Sequence, residues 1–147
     1  MLWRTHSAFG AGVASLFTVD PFALGLAGFL SVMPDFDRPF GHRGWFSHSF
    51  FAAFVFGAVA FFASMFNLFY AFLVLSSVSV HILLDFFTLS GVPLLFPLSH
   101  EDHGLRLAKS KDIFLNKAFL LVGLVILAIN LGGPEAMKAL ERAMTSW

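Results

Sequence analysis

Apolar residues gather into five long runs, roughly 7–19, 22–33, 49–66, 68–88 and 113–131, separated by short polar stretches. The last three approach the ~20 residues that a helix needs to cross a hydrocarbon core about 30 Å thick. The first two form one apolar stretch interrupted at Asp20-Pro21. Proline lacks the amide donor and disfavours helix in the residue before it. At 1.5 Å per residue each leg measures only about 18–20 Å. Either a single kinked span or a hairpin of two short helices fits this pattern. The hairpin is preferred. A kinked span would leave Asp20 near mid-membrane, at a cost of at least ~2.5 kcal/mol. In a hairpin Asp20 caps the second helix and Pro21 takes its first position. The expected fold is all-α: a polytopic membrane helix bundle of about five helical segments, including an N-terminal short-helix hairpin.

That hairpin returns the chain to its starting side, so His6 and the loop 34–48 share a face. Segment 49–66 then crosses away, Asn67 marks a tight turn, and 68–88 returns. Loop 89–112 lies on the starting face before 113–131 crosses away again. Arg4, Arg38, Arg43, Arg106, Lys109, Lys111 and Lys117 then share one face, against Lys138 and Arg142 on the other. The richer face is expected to be cytoplasmic. The tail, 132–147, opens on Gly132-Gly133-Pro134 and continues with Glu135, Lys138, Glu141 and Arg142. It reads as a short amphipathic helix on the far surface.

Composition supports a lipid setting. Across 147 residues, 58% are hydrophobic and only 12% charged, with a mean hydropathy of +0.81. A soluble domain carries about 25% charged residues, and a chain this small could not bury so many apolar groups inside itself. Residues 1–147 are expected to form a single integral-membrane domain, with the 21 phenylalanines at lipid-facing and packing positions. The net charge is zero, so a nucleic-acid partner is not expected. The absence of cysteine excludes disulfides and thiolate metal ligands. The start, Met1–His6, lacks the pattern of a secretory signal and is expected to belong to the mature fold.

The chemistry-bearing residues concentrate at segment ends. His81 and Asp85 are an i,i+4 pair on one helix face, extended by Ser77 and Thr88. Alone, such a pair serves packing as readily as function. Asp35 and Asp37 lie between Pro34 and Pro39 on a stiff, non-helical stretch. Like charges this close repel unless they share a cation, and Arg38 is the only local alternative to a metal. His42 and His48 follow in the next loop, where a solvated histidine is common. In combination, these carboxylates and imidazoles on one face point to a bound cation. Histidine and aspartate suit zinc, or manganese, rather than copper(I). Arg38 and Arg43 would suit an anionic substrate such as a phosphate ester.

These motifs resemble those of the membrane-bound metal-dependent hydrolase family typified by YdjM, also described as LexA-binding and inner-membrane-associated. The family pattern is carried here by His6, Pro34-Asp35-Phe36-Asp37, His42-Arg43-Gly44-Trp45-Phe46-Ser47-His48-Ser49, His81 through Asp85, Thr88, and Gly91-Val92-Pro93-Leu94-Leu95-Phe96-Pro97. Ser47 stands where the family commonly has threonine. The resemblance spans about residues 6–97, and no residue supports a LexA contact. The family is similar, more remotely, to the zinc-dependent phospholipase C and single-strand nuclease superfamily. That likeness implies ligand roles for Trp3, His6, Asp35 or Asp37, His48 or His42, and His81 with Asp85. His100, Glu101, Asp102 and His103 do not match the spacing of its remaining ligands, so one or two metals are expected.

Together these readings imply a multi-pass inner-membrane hydrolase of a phosphoester, with a lipid as one candidate substrate. Its metal ligands would come from His6, Asp35, Asp37, His42, His48, His81 and Asp85. A metal-activated water would attack, Asp35 or Asp37 would act as base, and Arg43 would steady the substrate anion. The alternatives are a metal-transport protein and a non-catalytic adaptor. Transport requires ligands distributed through the membrane depth, where residues 49–66, 68–80 and 113–131 offer no charged side chain at depth.

Overall fold

The computed structural model describes residues 1–40 and 46–145, and side chains within 1–36 and 46–133. Among the described residues it contains five α-helices, one 3-10 helix and no strand. The first two helices, α1 (Trp3–Ala14) and α2 (Pro21–Leu30), are short and pack together as the expected hairpin. Asp20 accepts from the amides of Phe22 and Ala23, with Pro21 opening α2, so the acid–proline pair turns the chain instead of kinking a span. A 3-10 helix, Met33–Phe40, follows. This corrects the non-helical reading of that stretch: the fixed backbone of Pro34 also suits the tighter turn, which short segments beside α-helices often adopt.

Ser49 caps α3 (Phe50–Ala63) through the amide of Ala52. Asn67 caps α4 (Leu68–Phe86) through the amide of Phe69. Loop 87–112 folds back on itself, with Val92 and His103 exchanging backbone hydrogen bonds, and Asp112 accepts from Leu115 at the start of α5 (Ile113–Thr145). A left-handed residue, Gly133, breaks α5, and helical backbone resumes beyond it. The segments Leu68–Phe86 and Ile113–Gly133 are each long and apolar enough to cross a membrane.

The central helix is α4. Val74, Val78 and Ile82 pack with Leu30, Ala53 and Val92; Leu73 packs with Ala14, Ala23 and Ala27; Val80 and Leu84 pack with Met1, near Phe9 and Phe119. Helices α1 and α5 cross with their backbones nearly touching. A Cβ on Gly12 would lie 2.4 Å from the Gly123 carbonyl oxygen, and one on Gly123 would lie 2.6 Å from the Phe9 Cα. Small residues drive such packing where lipid supplies no hydrophobic force between helices.

Polarity is inverted relative to a soluble protein. Large apolar side chains point outward, among them Phe22, Phe54, Phe62, Leu68 and Leu121. Thr5, His6, Asp35, His48, His81, Asp85 and Asn116 are buried.

Candidate metal centre

The alternating helix directions bring the start of α1, the end of α2, the start of α3 and the end of α4 to one end of the bundle. His6, Asp35, His48, and the pair His81 and Asp85 occupy those positions. Asp35, His48, His81 and Asp85 each offer a donor atom, and these four atoms lie within 4.8 Å of one another. His6 completes the shell, its ring stacked on His81 with centroids 3.9 Å apart.

Asp85 lies at the centre. Its Oδ1 accepts from the Met1 amino group and lies 3.4 Å from His6 Nε2. Its Oδ2 lies 3.9 Å from His81 Nε2 and 4.0 Å from His48 Nε2. The carboxylate is 1% exposed, and a buried charge this dry requires a compensating partner. The Met1 amine supplies one positive group.

Histidine geometry is compatible with a further cation. His81 Nδ1 lies 2.8 Å from the Ser31 carbonyl oxygen, which can only accept, so Nδ1 carries the proton. A neutral His81 therefore turns the lone pair of Nε2 toward His48 Nε2, 3.2 Å away. His48 Nδ1 in turn meets Ser47 Oγ at 2.9 Å. Holding the far nitrogen by a hydrogen bond is how proteins orient metal-ligating imidazoles. His6 is fully buried; its Nε2 makes only the 3.4 Å approach to Asp85 Oδ1, and among the described residues no hydrogen bond reaches its Nδ1. A buried imidazole nitrogen left unbonded is costly. Imidazole and carboxylate donors in this arrangement fit a divalent metal with borderline N/O preference.

The surroundings lock the cluster in place. Ser31 Oγ bridges the carbonyls of Ala27 and Ser77, at 2.9 and 3.2 Å, fixing α2 against α4. Asn116, at the start of α5, accepts from Leu2 N and Thr5 Oγ1 and donates to the carbonyls of Ser110 and Asp112. It thereby clamps the turn of α1 that carries His6. Thr88 Oγ1 bonds the carbonyl of Asp85 itself.

Of the expected site residues, the structure brings together His6, Asp35, His48, His81 and Asp85. The side chains of Asp37 and Arg38, and all of His42 and Arg43, lie outside the described residues. Trp3 is 59% exposed, with the Arg4 guanidinium over its ring. His100, Glu101 and Asp102 are exposed, and His103 Nδ1 bonds the Glu101 carbonyl within the loop. Ser31 and Asn116 were not singled out in the sequence. The available signals were a serine just before Pro34-Asp35 and an asparagine in the first turn of an apolar segment.

A helical bundle that faces its aromatic residues outward and buries a His/Asp cluster at one end is a membrane protein with a candidate metal centre. The chain matches the family of the YdjM inner membrane protein over residues 1–145 and belongs to that family. No curated protein and no solved structure matches it.

Proposed function

We propose that this protein is a multi-pass inner-membrane hydrolase that cleaves a phosphoester at a divalent metal, zinc or manganese, held by Asp35, His48, His81 and Asp85, with His6 beside them. The observation that carries this reading is the buried four-residue cluster with its donor atoms within 4.8 Å. When bound, the metal supplies a Lewis acid and lowers the pKa of a coordinated water. The chain's own residues orient and exclude. Ser31 holds His81 in one tautomer, Ser47 orients His48, and burial keeps bulk water from the donors. With Asp35 on the metal, Asp37 is the candidate base, and Arg43 is assigned to the substrate anion.

Clustering at one end of the bundle favours an enzyme over a transporter, whose donors would be spread along the membrane depth. Detergent-purified protein loaded with zinc or manganese should release product from a panel of aryl, nucleotide and lipid phosphoesters. Chelator should stop the release. A metal-replete protein no faster than its Asp85→Asn variant on every substrate would leave a non-catalytic adaptor as the better reading.

The same reading places the site end in the cytoplasm. Cysteines replacing the exposed Arg4 and Lys109 should react with an impermeant maleimide only after spheroplasts are opened. One replacing Leu68, at the opposite end of α4, should react in intact spheroplasts. Opposite behaviour of the Arg4 and Lys109 positions would break the topology.

A further inference from the structure

A groove of about 520 Å³ opens between α1, α2 and the 3-10 helix, and Asp35 of the cluster forms part of its wall. Trp3, Ser7, Gly25, Gly28 and Phe29 line it, and Asp35 closes its polar end. Asp35 thus belongs both to the groove and to the cluster. A second hollow of about 340 Å³ shares Ser7, Gly25 and Gly28 and continues to Pro21 and Leu131. The two form one trough along α2, polar at the Asp35 end and apolar along the rest. Its size matches known small-molecule sites, which run about 300–1,000 Å³.

We propose that this trough seats one acyl chain of a phospholipid-like substrate, with the phosphoryl head at Asp35 and the tail running along α2 toward Pro21. The proposal rests on the hydrolase reading and names its substrate class. Length supports it. The ten residues of α2 extend about 15 Å, half of a ~30 Å hydrocarbon core, which is the depth of one leaflet. Charge supports it as well. A cation on the adjoining donors of the cluster would bridge an anionic phosphoryl group to Asp35. The trough walls are apolar and face outward, with Phe29 56% exposed, so an amphiphile can enter sideways from the bilayer.

Gly25 gives a clean test. A Cβ at this position would meet nothing within 4 Å, so a side chain can be introduced into the trough from here. Removing a glycine from a helix interior also favours folding. The probe is phosphatidic acid with a diazirine midway along one acyl chain, photolysed with full-length protein in dodecyl maltoside micelles. Label should map to the peptide around Gly25 and Phe29 and be competed by unlabelled phosphatidic acid. Gly25→Phe should abolish it with metal content unchanged, and Gly25→Ala should retain it. Labelling that resists competition, or persists in Gly25→Phe, would overturn the proposal. Labelling needs no turnover, so the two readings fail separately. Saturable labelling of a protein that hydrolyses nothing keeps the lipid seat and removes the hydrolase. Cleavage of a soluble aryl phosphoester, with labelling indifferent to Gly25→Phe, does the reverse.

Discussion

Replacing Asp85 with asparagine should empty the purified protein of divalent metal while leaving its helical content intact. Asparagine keeps the shape of the side chain and removes the charge around which His6, His48 and His81 are arranged. Loss of an outer partner of a metal ligand typically costs 10–100-fold in affinity, so loss of the central carboxylate should exceed about 100-fold. His81→Ala should give the same result, because His81 Nε2 faces both Asp85 and His48. Elemental analysis of folded protein decides the matter. Unchanged metal in both variants would remove the centre altogether. Asp85→Asn carries a second expected effect, since it leaves the buried Met1 amine without its carboxylate. Loss of this buried partner should also lower the unfolding temperature of the variant.

Gly123→Leu should be the most damaging substitution outside the cluster. A Cβ at 123 already lies 2.6 Å from Phe9 Cα and 2.8 Å from the Ala8 carbonyl oxygen, and backbone cannot rotate aside as a side chain can. Overpacking costs about 1–3 kcal/mol, and contact with the α1 backbone places this case at the upper end. The thermal midpoint, followed by loss of the monodisperse peak, should fall by about 5 °C or more. Leu121→Ala, on an exposed side chain of the same helix, should change it little. Equal stability of Gly123→Leu and the parent would mean that α1 and α5 do not cross here. Because α1 carries His6 and Thr5, the variant should also weaken metal retention.

Much of this arrangement was legible along the chain because its signals are local. Asp20-Pro21 announces a cap and a first helical position, and the structure uses both residues so. The spacing of His81 and Asp85 puts them on one face of α4, and chain direction puts Asp35 and His48 at the same end. Other parts were illegible because they depend on pairs distant in sequence or on backbone atoms. The carbonyl of Ser31 fixes the His81 tautomer, and no side-chain pattern announces a carbonyl. Asn116 meets Leu2 and Thr5 across more than a hundred residues. The Gly12–Gly123 crossing depends on two residues that read singly as ordinary helix-weakening glycines. The trough along α2 is a shape, and only packed helices have one.

The wide spread of the cluster along the chain bears on biogenesis. Its donors run from His6 to Asp85, so the first is made long before the last leaves the ribosome. Until the fourth helix is inserted beside the first two, His6 and Asp35 face a half-built pocket. A cation bound by all of these donors would therefore be enclosed only once the fourth helix stands beside the first two.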